Sequence, residues 1–210
     1  QLLEIDYLRN GIRPIMTHVS PPYEIWTTKK EITKPEDLKG FKMRTPGGIA
    51  NEVYESLGAV PVSVSHTETY EALEKGVIEG ASYSSVAVEG SGTQELLNYA
   101  LFIHLGTAIH GIVINENVWQ KLPEDVQNAM MEAGQEIVKT SGEKYDADTE
   151  AFNAEFAKNA EVTEITGPEH DKWVQLFDDF IENWIKKHES DGYPYEEIVN
   201  AYKEKLKQYE

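Results

Sequence analysis

Apolar and polar positions along this chain recur with two periods, and the switches between them outline its elements. In "FKMRT", Phe41, Met43 and Thr45 fall on one face and Lys42 and Arg44 on the other, the two-residue period of a strand. "GGIANEVYESLG" follows, with Ile49, Val53, Tyr54 and Leu57 on one side of a helix that Gly58 ends. "AVPVSVS" predicts a second strand. "HTETYEALEKG" predicts a helix with Thr67 as N-cap and Gly76 as its stop, and "VIEGASYSS" brings a third strand. Strand, helix, strand, helix, strand from Phe41 to Ser85 is the pattern of a parallel sheet with covering helices.

The flanks extend this α/β reading. "IRPIMTHVS", interrupted at Pro14, and "EIWTT" predict strands ahead of it, and "TKPEDLKG" a helical turn with Thr33 as N-cap. "GTQELLNYA" predicts a helix, and "LFIHLG" and "HGIVIN" two strands on either side of Thr107 and Ala108. Asn115 is expected to cap a short helix, "ENVWQKL", and Pro123 to open a long one reaching about Ala160. "EVTEIT" is expected as a strand. "PEHDKWVQLFDDFIENWIKKH" and "YPYEEIVNAYKEKLKQYE" are expected as amphipathic helices. Trp173, Leu176, Phe177, Phe180 and Trp184 recur at helical spacing and are expected in the core. The opening "QLLEIDYLRNG" has the pattern of the last turns of a helix stopped by Gly11, so further chain is expected upstream.

Composition narrows the function classes. The net charge of −18 repels nucleic-acid phosphates and leaves no basic patch for anionic lipid. The absence of cysteine removes disulfides, thiol catalysis and thiolate metal sites. No apolar run approaches the roughly 18 residues of a membrane span.

Against that acidic background arginine is scarce: only Arg9, Arg13 and Arg44 occur. Arg44 ends a sheet strand before the "PGG" turn and a helix N-terminus, and ligands of open α/β sheets bind at strand carboxyl ends. Its planar fork suits a carboxylate. In a parallel topology, Ser65, His66, Tyr83 and Trp26 come to the same edge, with Tyr23 and Glu24 nearby. Hydroxyls, an imidazole and aromatics around one cation compose a small-anion pocket. Catalysis would need a nucleophile and base in reach, and only Ser65, Ser82, Ser84 or Ser85 with His66 offers the residue types. No G-x-S-x-G elbow, P-loop or G-x-G-x-x-G occurs, and the spacing of His104 and His110 fits no helical metal pair. The chain is expected to be no enzyme and to hold no cofactor or metal.

"ITKPEDLKGFKMRTPGG" with "LGAVPVSVSHTETYEALEKGVIEGA" resembles the extracytoplasmic solute-binding proteins of TRAP transporters, and "VINENVWQKLPEDVQNAMMEAGQE" is similar to a downstream segment of that family. The resemblance runs from about Ile12 to the end of the chain. It implies a periplasmic binding protein of α/β fold, with parallel-rich sheet lobes and long C-terminal helices, that closes around a small organic acid and presents it to the membrane subunits of a TRAP permease. It also implies that Arg44 pairs with the ligand carboxylate.

Within that frame residues 1–20 are expected to be the tail of one lobe and a crossover, and residues 21–108 the ligand-binding lobe. Residues 109–150 would return a strand and long helix to the other lobe, and residues 151–210 would pack across both. Roughly the first hundred residues of the family pattern are not in this sequence, so a separate N-terminal segment or self-association is expected to complete the second lobe, or the chain is a truncated product of a longer one. Tyr83 stands where many members have asparagine, Glu24 near a second arginine of some members, and His66 where many have an aromatic residue. These departures suggest a monocarboxylate with an apolar body. A sensor module reporting to a receptor is the alternative reading.

Overall fold

The computed structural model describes residues 3–104 and 106–208. The extreme ends of the two terminal helical patterns and Leu105 of "LFIHLG" lie outside the described residues. The strands are β1 (Ile12–Val19), β2 (Glu24–Thr27), β3 (Lys42–Thr45), β4 (Val60–Ser63), β5 (Gly80–Tyr83), β6 (Tyr99–Phe102), β7 (Ile109–Asn115) and β8 (Glu161–Glu164). The helices are α1 (Ile49–Ser56), α2 (Thr69–Glu74), α3 (Ser85–Ser91), α4 (Glu116–Trp119), α5 (Glu124–Phe156), α6 (Gly167–Lys187) and α7 (Tyr195–Leu206).

Among the described residues the strands form two sheets, a six-stranded one in the order β4-β3-β5-β2-β6-β8 and an antiparallel ribbon of β1 with β7. β3 pairs in parallel with β4 and β5, as the strand–helix alternation implies. β2 lies between β5 and β6 and runs antiparallel to both. Adjacent residues of one strand face opposite sides of the sheet, and both sides are covered. Trp26, Ala81, Tyr83 and Phe102 pack beneath Val88 of α3 and Phe152 and Phe156 of α5. Ile25, Met43 and Leu101 pack on the other side with Tyr54 of α1 and Trp173 of α6.

The sheet is tight where β2 meets β5. A Cβ at Gly80 would lie 2.4 Å from the Trp26 carbonyl oxygen and 2.9 Å from Phe41 Cε1. Gly80→Ala is therefore expected to push β5 from β2 and cost about 1–3 kcal/mol of stability, read as a lower denaturation midpoint at unchanged m-value.

Several local expectations are corrected. "GTQELLNYA" is not a helix: Gly92, in the left-handed region, ends α3, a single 3-10 turn spans Thr93–Glu95, and β6 begins at Tyr99. The Asn98 N–H donates to the Thr27 carbonyl and its side-chain amide to the Thr28 carbonyl, which draws this segment into the sheet. Thr33 is not an N-cap. The Pro35–Leu38 turn starts after Lys34, and the Asp37 carboxylate accepts from the Thr33 and Lys34 N–H groups. Thr67 lies inside the 3-10 turn His66–Glu68 that leads into α2, and Ser65 holds the position before it. Asn115 caps α4 as expected, its side chain accepting from the Asn117 and Val118 N–H groups.

Three segments connect the two sheets. Residues 20–23 and 106–108 run side by side, with the Ser20 N–H on the Ala108 carbonyl and the Tyr23 N–H on the Gly106 carbonyl, each at 2.9 Å. The third is α5, whose 33 residues give a rod of about 50 Å. Its Gly134 seats on Ile15 of the ribbon, where a Cβ would meet the Ile15 carbonyl at 2.5 Å, and its Phe152 and Phe156 reach the Trp26 cluster of the large sheet.

Candidate functional site

Arg44 sits on β3 with its neighbours β4 and β5 on either side. Its Nε–H donates to the Val64 carbonyl at 3.1 Å and one terminal nitrogen to the Ser82 carbonyl at 3.4 Å. The guanidinium lies over the Tyr83 ring, 4.1 Å from the centroid, a cation–π contact. Tyr83 is itself fixed. The Thr69 hydroxyl donates to the Ser65 carbonyl at 2.8 Å, which leaves it to accept from the Tyr83 hydroxyl at 2.9 Å. The Tyr83 oxygen then accepts from His66 Nδ1–H at 3.2 Å, which assigns that imidazole tautomer.

Arg44 is only 6% exposed, yet no carboxylate among the described residues forms an ion pair or hydrogen bond with it. Burial is the strongest influence on the guanidinium and pulls its pKa down, opposed by the phenols of Tyr83 and Tyr23. Arginine remains charged regardless. A buried cation held by carbonyl oxygens and ring faces is incompletely compensated, and an anion placed against it removes that cost. Tyr23 is close enough to feel this charge; burial raises its pKa and Arg44 lowers it.

A cavity of about 240 Å³, whose lining does not include Arg44, lies between α1 and α6, with Tyr23, Tyr54 and Ser82 at its polar end. Ser82 links the two, because its carbonyl accepts from Arg44 and its hydroxyl from the Tyr54 O–H at 2.9 Å. Burial pushes the Tyr54 phenol up to about 12, so it stays neutral. The turn feeding α1 is built from Gly47 and Gly48, both at positive φ (91° and 59°), which lets the chain reverse directly after Thr45.

The structure thus gathers Arg44, Tyr83, His66 and Tyr23, and adds Tyr54 and Thr69, which sequence reasoning did not select, and Ser82, which it considered only as a nucleophile. Tyr54 and Thr69 sit mid-helix or at a helix start, and Ser82 one residue before the noticed Tyr83, so no local pattern marks them. Two expected members are placed differently. Trp26 does not end its strand on the ligand edge: β2 is antiparallel, Trp26 pairs with Ala81 below the edge, and its indole is fully buried with its N–H on the Tyr83 carbonyl at 2.8 Å. Ser65 is exposed, with its hydroxyl donated to Glu68.

Glu24 reaches the edge but is turned toward the crossing segment. One carboxylate oxygen accepts from the Ile103 N–H at 2.7 Å and the His104 N–H at 3.1 Å, and the other lies 2.8 Å from His104 Nδ1. His104 adopts φ +51°, unusual for a residue with a side chain, so this clamp holds a strained bend. The hydrogen bond to Glu24 raises the His104 pKa, opposed by burial and helped by the charges of Glu24 and Glu164. A raised folded-state pKa gives stability that is complete below the unfolded value near 6.5 and lost as pH rises through the folded value. The unfolding midpoint of the protein minus that of His104→Asn, whose residue tolerates this φ, is expected to be larger at pH 5.5 than at pH 8.5. His104 is half-exposed and screened by solvent although Glu24 is buried, so the pH-dependent part should be about 1 kcal/mol or less.

A mixed sheet covered by helices on both faces, connected by paired crossing segments to an antiparallel ribbon and carrying a pocket at its strand ends, has the α/β fold of a binding protein of the periplasmic type. The chain belongs to the bacterial extracellular solute-binding protein family 7, which it matches over residues 6–187. It is 34% identical over 124 residues to a solute-binding protein of Roseobacter denitrificans, covering 58% of this chain and 38% of that one. It is 28% identical over 167 residues to the C4-dicarboxylate-binding periplasmic protein DctP of Rhodobacter capsulatus, covering 73% and 50%. It therefore spans half or less of these two curated relatives.

Among solved structures, a Bordetella pertussis extracytoplasmic solute receptor binding pyroglutamic acid superposes with a TM-score of 0.87 at 20% identity, over 97% of this chain and 66% of that one. A TRAP periplasmic solute-binding protein of Bordetella bronchiseptica with bound (R)- and (S)-mandelate superposes at 0.85 with 21% identity, over 100% and 67%. These superpositions show a shared fold. The family is one of binding proteins, not enzymes. No described helix is long and apolar enough to cross a membrane.

Proposed function

We propose that this chain is the substrate-gripping part of the periplasmic solute-binding protein of a TRAP-type transporter, and that it holds a small organic acid by its carboxylate on Arg44 and presents it to the membrane permease. The observation that carries the reading is a buried guanidinium at the strand carboxyl ends that is held by two carbonyls and a tyrosine ring and has no carboxylate partner among the described residues. In a chain of net charge −18, leaving that cation unpaired reserves it for an incoming anion. The organic acids named for its structural neighbours, mandelate and pyroglutamic acid, each offer one carboxylate and support the same reading. Residues 20–23 and 106–108, paired by backbone hydrogen bonds, supply the hinge about which the cleft closes.

Native mass spectrometry of the gently purified protein tests this, with a denatured mass alongside. A retained organic acid released on denaturation, or micromolar binding from a panel of carboxylates, is expected. A protein that retains nothing and binds none of the panel would overturn the reading.

A further inference from the structure

We infer that Tyr83 and Thr69 are positioning residues, which act on the ligand through Arg44 without touching it, by locking the guanidinium before the ligand arrives. The inference rests on Arg44 as the carboxylate anchor and concerns what sets the strength of that anchor.

Tyr83, expected from the sequence to line the ligand pocket, has no side-chain atom free for a ligand. The Arg44 guanidinium lies over its ring, and His66 packs against it in a T-shaped contact with centroids 5.6 Å apart. Its hydroxyl donates to Thr69 and accepts from His66. Tyr83 is only 2% exposed and Thr69 is wholly buried.

These contacts close a circuit around the guanidinium. Thr69, at the start of α2, donates to the Ser65 carbonyl, and Val64, the residue before Ser65, accepts from Arg44 Nε–H. Ser82, the residue before Tyr83, accepts from a terminal nitrogen of Arg44. The Tyr83 carbonyl is held in turn by the Trp26 indole. Two N–H groups and one face of the guanidinium therefore meet partners that are tied to one another. With Nε–H on Val64, a side-on grip through Nε and a terminal nitrogen is closed to a carboxylate, and the remaining donors all lie on the terminal nitrogens. An arginine side chain has much rotamer freedom, and freedom already lost on folding is not lost again at binding. The lock should strengthen carboxylate binding by about three- to ten-fold.

Thr69→Val removes one hydroxyl of the circuit at nearly constant shape, Tyr83→Phe removes the other and keeps the ring, and Thr69→Ser restores a hydroxyl. Titration calorimetry uses pyroglutamate and (R)-mandelate as probes. Thr69→Val and Tyr83→Phe are each expected to weaken binding by about three- to ten-fold, and Thr69→Ser to bind like the parent. In an Arg44→Lys background there is no fork to lock, so the same two substitutions should each change affinity by less than about two-fold. Nitrogen-15 NMR reads the lock without ligand. The chain has only three arginines, so the Arg44 Nε–H signal is identified by its loss in Arg44→Lys. Its exchange with water is expected to be slow in the parent and in Thr69→Ser, and faster in Thr69→Val and Tyr83→Phe. Circular dichroism establishes that each variant is folded, and Tyr83→Phe carries the test by itself if Thr69→Val is not.

Unchanged affinity in the folded variants, with Arg44→Ala abolishing binding, overturns the positioning role and leaves Arg44 as anchor. An equal loss in the Arg44→Lys background does the same, because the effect then bypasses the fork. If neither probe binds, unchanged exchange of the Arg44 Nε–H in the variants overturns the lock and faster exchange supports it. If Arg44→Ala leaves probe affinity unchanged, the anchor reading itself fails and this inference falls with it.

Discussion

Arg44→Ala is expected to lower affinity for the carboxylate ligand by between about 30-fold and 5,000-fold. That range corresponds to the roughly 2–5 kcal/mol lost when one partner of a buried, hydrogen-bonded charge pair is truncated. The guanidinium is 6% exposed, and its partners among the described residues are the Val64 and Ser82 carbonyls and the Tyr83 ring, none of them a cation that could substitute for it. Arg44→Lys retains the charge but loses the planar fork and the fit over Tyr83, and should recover only part of the affinity. Titration calorimetry at fixed ionic strength reads both. If Arg44→Ala binds as tightly as the parent, the site is wrong.

Trp26→Ala is expected to be the most damaging single substitution for stability, at about 3–5 kcal/mol, or roughly 6–20 °C in the unfolding midpoint. The indole is fully buried, meets Phe102, Phe152 and Phe156 edge-on with centroids 5.1–6.0 Å apart, and donates to the Tyr83 carbonyl. Removing it leaves a cavity between the large sheet and the C-terminal end of α5. The contrast with Arg44 is diagnostic. Arg44→Ala should act on affinity with the fold intact by circular dichroism, whereas Trp26→Ala should act on stability through packing. A Trp26→Ala variant with an unchanged unfolding midpoint would show that the cluster does not hold the sheet to α5.

Much of the fold is legible along the chain because it depends on local periodicity. The alternation from Phe41 to Ser85 specifies β3, β4 and β5 as parallel neighbours, since right-handed crossovers leave little choice. Asn115, Pro123 and Gly11 mark element ends through backbone groups that any fold must satisfy. "GTQELLNYA" misleads because Leu96 and Leu97 suit a helix as well as a sheet edge. The pairing of Asn98 with β2, some seventy residues earlier, decides it.

The candidate site divides in the same way. Arg44 was legible by itself: a scarce cation at the end of a strand, before a glycine turn, in an acidic chain. Tyr83 and His66 were legible as neighbours of that edge. What the sequence by itself determined about this protein is therefore its class of fold, the scarce arginine and the strand end that carries it, because each follows from residues close together in the chain. Only the tertiary structure decided the rest. Strand direction is a property of pairing, so the antiparallel course of β2 moved Trp26 into the core and turned Glu24 onto His104. Half-burial is a property of neighbours, so the phenylalanines of α6 became a cavity wall although their spacing is that of an ordinary core stripe.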